Sequence, residues 1–152
     1  MQEMLYLDLK DGRVEIELRP DLAPNHVQRI KELTEEGFYD GVVFHRVIPD
    51  FMAQTGDPTG TGTGGSKKPN LKAEFSSERH VRGTCAMAKS ASPDSANSQF
   101  FICFAESPWL NGKYTVWGKV VSGMEHVDAI KKGDDSNGTV KNPDKMVKMS
   151  LG

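Results

Sequence analysis

The chain has two cysteines in 152 residues, Cys85 and Cys103. Too few for a disulfide framework, they are expected to be reduced thiols in a cytoplasmic protein. No apolar run approaches the roughly 20 residues of a membrane span. The opening M-Q-E-M-L-Y-L-D-L-K has neither a basic start nor a long apolar core, so no signal peptide and no membrane partner are expected. Neither sign of charge dominates. The formal net charge is −2 and the pI is near 6.1, with lysines and arginines scattered, which disfavours nucleic acid as the principal partner.

Chemistry is missing in the same way. His26, His45, His80 and His126 lack metal-ligand spacing, and no Cys-x-x-Cys or His-x-x-x-His pair occurs. No G-x-S-x-G elbow is present. The glycine-rich run Gly56 to Asn70 superficially resembles a phosphate loop, but Gly65 is followed by Ser66 and not by a Lys-[Ser/Thr] pair. These absences leave a reaction without a nucleophile, metal or cofactor.

What is present is mostly strand. Leu5, Leu7 and Leu9 alternate with Met4, Tyr6 and Asp8. Asp11-Gly12 signals a type I′ turn, and Val14, Ile16 and Leu18 resume the alternation as the second arm of a hairpin. From Pro24 the period becomes helical, with Val27, Ile30 and Leu33 on one stripe and Gly37 at the end. Residues 83–89, 100–104, 114–121 and 145–150 read as further strands, and Met124, Val127 and Ile130 mark a second helix. About eight short strands with two helices fit no βαβ pattern. The fold class expected is mainly β, a closed eight-stranded antiparallel barrel with two α-helices capping its ends, in one domain over residues 1–152.

One stretch breaks the ordinary strand rule. V-F-H-R-V-I-P-D-F-M-A-Q-T-G, residues 43–56, predicts two strands broken at Pro49-Asp50. If residues 43–48 are extended, Arg46 shares a face with Phe44 and Ile48, opposite Val43, His45 and Val47. Met52 and Gln54 share a face on the second strand. By itself Arg46 reads as a surface arginine lying over apolar neighbours. Yet a guanidinium, an amide and apolar groups together suit a substrate that is both apolar and amide-like.

F-H-R-V-I-P-D-F-M-A-Q-T-G-D-P-T-G-T-G-T-G-G resembles the signature of the cyclophilins, the peptidyl-prolyl cis-trans isomerases. The likeness continues through G-T-C-A-M-A, S-Q-F-F-I-C and W-L-N-G-K-Y-T-V-W-G-K-V, in family order over nearly the whole chain. It implies an isomerase of X-Pro bonds that assists protein folding. It also implies an eight-stranded closed barrel, agreeing with the strand count.

Carried onto this sequence, the resemblance makes Arg46 the catalytic arginine and Gln54 the glutamine that steadies it. Phe51, Met52, Phe101 and Leu110 would form a proline-ring pocket bordered by Ile48, with His45 and Tyr114 also at the substrate site. Ala88 and Lys89 would hold the substrate through main-chain groups. Trp109 matches the tryptophan that many members use to bind cyclosporin. The implied partners are proline-containing peptides and client proteins, with the chain itself expected to be a monomer. Tyr114, Lys89 and Trp117 depart from the residues many eukaryotic members carry, and the compact form looks bacterial. A proline-segment binding module with incidental isomerase activity is the alternative function.

Overall fold

The computed structural model describes residues 3–152. Met1 and Gln2, on which the reading of a leaderless start partly rests, lie outside them. Among the described residues no helix is long and apolar enough to cross a membrane.

Strands β1 (Glu3–Leu9) and β2 (Gly12–Leu18) form the expected hairpin. Leu9 pairs with Gly12, so the turn residues are Lys10 and Asp11 and not Asp11-Gly12. Neither has positive φ, so the turn is not type I′. Gly12 lies against the His126 ring: a Cβ there would lie 2.4 Å from His126 Nε2, so the ring would have to shift.

Helix α1 (Pro24–Glu35) has Pro24 in its first turn and buries Val27, Ile30 and Leu33. Its N-cap is Ala23, which has no side-chain oxygen. Glu74, nearly fifty residues away, takes that role. Its carboxylate accepts the N–H groups of Asn25 (3.3 Å) and His26 (2.9 Å), and contacts the buried His26 Nδ1 at 2.6 Å.

The remaining strands are β3 (Arg46–Ile48), β4 (Met52–Thr55), β5 (Thr84–Met87), β6 (Phe100–Cys103), β7 (Val116–Ser122) and β8 (Lys148–Leu151). A short helix, α2 (Met124–Asp128), follows β7 and buries Val127. All eight strands join one antiparallel sheet in the order β3-β4-β6-β5-β7-β2-β1-β8. The sheet curls as a half-barrel: Val47 of β3, Ala53 of β4, Leu5 of β1 and Met149 of β8 all belong to one core cluster. Phe100 packs edge to face on Trp117 (5.3 Å) and Tyr39 (5.4 Å) within that core. Each such aromatic pair adds about 0.5–1.5 kcal/mol beyond area burial.

The expected closure into a barrel is not observed. β3 and β8 are the two edges and form no ladder with each other. Extended backbone in β3 begins only at Arg46, and its outer edge is bonded by Gly133 and Gly138 of the loop before β8. Ahead of it Val43 makes an isolated bridge to Lys145, and irregular main chain joins Gly41, Val42 and Phe44 to Asp144 and Met146. The same irregularity corrects the face assignment. Phe44 is in the core with Val47, while Arg46 and Ile48 point to the other side. With no closed barrel to cap, the two helices pack on the sheet, α1 against β7 and β8 and α2 against β2.

Candidate active site

A second apolar cluster lies on the outer face of the sheet. Met52 of β4, Phe101 and Cys103 of β6, Ala86 of β5 and Leu110 are buried there, with Ile48, Phe51, Ala88 and Tyr114 packed around them. Strand alternation produces this directly, because Phe100 and Ile102 face the main core and Phe101 and Cys103 face away. Register then aligns the polar groups. Arg46 pairs with Gln54, Gln54 with Phe101, and Phe101 with Ala86. Four residues scattered over 56 sequence positions, from 46 to 101, thus form one cross-strand row.

Arg46, Gln54, Phe51, Met52, Phe101, Leu110, Tyr114, Ala88 and Lys89 line a pocket of about 120 Å³. That volume suits a small apolar ring. Phe51 enters from the Pro49-Asp50-Phe51 connection, where Asp50 adopts φ +64°, a conformation aspartate tolerates. Phe101 meets the edge of Tyr114 at 5.7 Å, and Lys89 Nζ lies 4.6 Å from the Tyr114 ring centre. Leu110 comes from a 3-10 turn at Pro108–Leu110.

Arg46 is held from two sides. Its Nε–H donates to the Asn137 carbonyl at 2.8 Å, and Nη1 donates to Gln54 Oε1 at 3.3 Å. Gln54 Nε2 donates onward to Gln99 Oε1 at 2.9 Å. Gln99 Nε2 in turn donates to the carbonyls of Gly62 (3.0 Å) and Gly64 (2.9 Å). The Gly62 and Gly64 segment is itself wrapped around Asp57, whose carboxylate accepts the N–H groups of Thr59, Thr61, Gly62 and Gly64. Burial pushes the Asp57 carboxyl up, but the bonds from Thr59, Gly64 and Gly62 outweigh it and hold it well below the usual carboxylate range. The glycine-rich run is therefore an anchor for an amide relay that ends at the guanidinium.

The structure separates some of the expected site residues from this pocket. Trp109 is 57% exposed and sits beside Phe51, ring centres 5.5 Å apart, at the rim and not in the wall. Ile48 packs on the cluster without lining the pocket. His45 is buried and lines a neighbouring cleft with Arg46, Thr61 and Thr139. It does not line the pocket around Phe101. Ala88 is in place, but its N–H is engaged by the Gln99 carbonyl at 3.0 Å.

Three contributors escaped the sequence reading. Gln99 and the Asn137 carbonyl hold Gln54 and Arg46 from distant loops. His80 stacks behind Phe101 at 6.3 Å, and its main-chain N–H (2.7 Å) and Nδ1 (3.2 Å) meet Asn111 Oδ1, tying down the segment that carries Trp109 and Leu110. Burial lowers the His80 pKa, partly offset by Asn111. Gln99 was legible in principle, since it alternates with Phe100 just before the apolar strand. The other two depend on tertiary approach. Among the described residues no group of three or more His, Cys, Asp or Glu is arranged to hold a metal ion.

This arrangement places the Arg46 guanidinium at the rim of an apolar pocket, with the Gln54 amide beside it. The comparisons agree with that chemistry. Residues 4–151 match the family model for cyclophilin type peptidyl-prolyl cis-trans isomerase/CLD. A probable peptidyl-prolyl cis-trans isomerase of Brucella suis biovar 1 (strain 1330) is 59% identical, over 99% of this chain and 83% of its own. Peptidyl-prolyl cis-trans isomerase B of Bacillus subtilis (strain 168) is 46% identical, over 85% of this chain and 91% of its own. The crystal structure of a Cryptosporidium parvum cyclophilin type peptidyl-prolyl cis-trans isomerase superposes with a TM-score of 0.91 at 26% identity, covering 100% of this chain and 98% of that one. The same protein in the presence of the dipeptide Ala-Pro gives 0.90 at 27% identity, with 98% of each chain covered. The chain belongs to the cyclophilin-type peptidyl-prolyl cis-trans isomerases, and its activity is rotation about X-Pro peptide bonds.

Proposed function

We propose that this chain isomerises X-Pro bonds by seating the proline ring against Phe51, Met52, Phe101 and Leu110 while Arg46 stabilises the twisted amide. The observation that carries this is the fixed guanidinium at the pocket rim, held by Asn137 and Gln54. Arginine has five N–H donors, and these two bonds use two, leaving three for a substrate.

The physical demand is set by the bond. Nitrogen donates its lone pair into the carbonyl, giving a rotational barrier of about 18–20 kcal/mol. Cis and trans X-Pro forms differ by only about 1 kcal/mol, so the barrier and not the equilibrium is the obstacle. When the amide twists, the lone pair localises on the proline nitrogen and becomes a hydrogen-bond acceptor. Arg46 supplies a donor that is always charged. Five decades of acceleration require about 7 kcal/mol. One preorganised donor accounts for about 3–4 kcal/mol, and pinning the ring and flanking backbone supplies the rest.

The substrate backbone would lie along Ala88 and Lys89, with the Ala88 N–H already engaged and the neighbouring main-chain groups available to it. Trp109, exposed beside Phe51, would widen the contact surface for larger ligands such as cyclosporin. That the Cryptosporidium neighbour was also crystallised in the presence of the dipeptide Ala-Pro supports a proline-containing peptide as the substrate here.

The test is protease-free exchange spectroscopy on a short X-Pro peptide. Arg46→Ala is expected to lower kcat/KM by about 10²–10³. Arg46→Lys is expected to restore little, because an ammonium cannot donate along both the Nε and Nη1 directions. Undiminished catalysis in Arg46→Ala would sink the assigned role, and an inactive parent protein would sink the reading as a whole.

A further inference from the structure

The loop between α2 and β8 lies along the free edge of β3 without becoming a strand. Gly133 N–H donates to Val47 O at 2.8 Å, and Val47 N–H donates to Gly138 O at 2.8 Å. Arg46 faces Thr139 in an isolated bridge. Between these attachments the chain folds around one side chain. Asp135 Oδ1 accepts the N–H groups of Asn137 and Thr139, each at 3.0 Å, while its main-chain oxygen accepts Gly138 N–H at 3.1 Å. Aspartate makes such local bonds to main chain two residues on.

The turn delivers the Asn137 carbonyl to Arg46 Nε at 2.8 Å. It is pressed tightly onto β3: a Cβ on Gly138, which has φ +77°, would lie 2.5 Å from Ile48 Cγ1 and 3.0 Å from the Val47 carbonyl. Asp135 itself is exposed and lines none of the pocket around Arg46. Its route to the site runs through the shape of this turn.

We propose that Asp135 is a positioning residue, shaping the 135–139 turn so that the Asn137 carbonyl holds the Arg46 guanidinium in its working orientation. The proposal rests on the role assigned to Arg46 above. It makes a side chain outside the pocket a determinant of turnover. Losing the Asn137 carbonyl frees the guanidinium to wander and lowers kcat more than it raises KM.

The experiment compares the parent with Asp135→Ala, Asp135→Asn and Asp135→Glu. It measures kcat and KM on an X-Pro peptide and solvent exchange of the Arg46 Nε–H by nitrogen-edited spectroscopy. Asp135→Ala is expected to lower kcat by about five- to tenfold, the equivalent of one hydrogen bond, with KM changed less than about twofold. Its Arg46 Nε–H should exchange faster by a similar factor. Asp135→Asn keeps an oxygen acceptor at the same reach and should restore both readings. Asp135→Glu keeps the charge but moves the carboxylate out by a methylene, and should behave as the alanine variant does. Parental kcat in Asp135→Ala or Asp135→Glu overturns the proposal. So does a fall in kcat with Arg46 Nε–H protection intact, or no rescue by Asp135→Asn. An inactive parent would overturn the assigned activity instead, and the exchange measurement would still decide whether Asp135 controls Arg46.

Discussion

Gln54 and Gln99 are joined by one amide-to-amide hydrogen bond, Nε2 of Gln54 donating to Oε1 of Gln99 at 2.9 Å. That bond decides which end of the Gln54 amide faces Arg46. Gln99 has no freedom to reverse it, because its own Nε2 is engaged by the carbonyls of Gly62 and Gly64. A polar chain of this kind is directional: each amide uses its nitrogen on one side and its oxygen on the other.

Gln99→Leu, which keeps the bulk and removes the amide, should therefore let Gln54 rotate. A loss of about five- to tenfold in kcat/KM is expected, the scale of one hydrogen bond. Peptide isomerisation kinetics check it, with parental kcat/KM as the contrary result.

Glu74 ties the start of α1 to the loop before β5. Glu74→Ala removes an N-cap supplied from elsewhere in the chain and leaves the buried His26 Nδ1 unpaired. A loss of about 1–3 kcal/mol in unfolding free energy is expected from the two effects. Urea unfolding at neutral pH measures it, and a midpoint equal to the parent's would contradict the capping role.

Acid should weaken the fold well before carboxylates titrate. Burial lowers the pKa of His26, His45 and His80, with Glu74, Asp57 and Asn111 respectively opposing it. In the unfolded chain these groups titrate near 6.5. Below that pH the unfolded state binds more protons than the folded one, so stability falls as pH falls. The contribution is fully present above about pH 6.5 and is lost on the way to the depressed folded values. The urea midpoint should drop between pH 7.5 and 5.5, and drop less in a His45→Gln, His80→Gln double variant. A flat midpoint across that interval would be inconsistent with three neutral buried imidazoles.

The two tryptophans should report separately. Trp117 is fully buried against Phe100, whereas Trp109 is 57% exposed. Trp109→Phe should remove the red-shifted part of the emission and leave the blue-shifted part from Trp117. In the parent, an X-Pro peptide or cyclosporin should perturb the Trp109 component alone. A ligand-induced change that survives Trp109→Phe would place the binding surface elsewhere.

Much of the site was visible in the residues before any fold. Period-two alternation put Phe101 opposite Phe100 and Ile102, and put Met52 with Gln54, because side-chain direction in a strand needs no partner to define it. The same reasoning failed at residues 43–45. It assumed an extended backbone through Val43, but the chain there is held by main-chain bonds to Asp144 and Met146 from the far end of the sequence. Phe44 turns into the core as a result, whereas His45, which only the resemblance put at the substrate site, lines the neighbouring cleft. The open edge between β3 and β8 also depends on distant chain, since the outer edge of β3 is bonded by Gly133 and Gly138 of the loop before β8 and not by β8 itself. The type I′ hairpin failed differently: Gly12 looked like a turn residue, but it already pairs with Leu9 in the ladder and the turn falls on Lys10 and Asp11.

By itself the sequence determined the strand count, both helical stripes and a family resemblance that named Arg46. Those properties are carried by local periodicity and residue type. Tertiary structure decided how Arg46 is held. Its partners come from β4, from the turn around Asp135 and, through Gln99, from the glycine-rich run wrapped on Asp57. Residues at positions 46, 54, 99 and 137 meet only when strand register and loop docking have been set, and both are fixed by burial of the shared core and by main-chain bonds that leave no periodic trace in the chain.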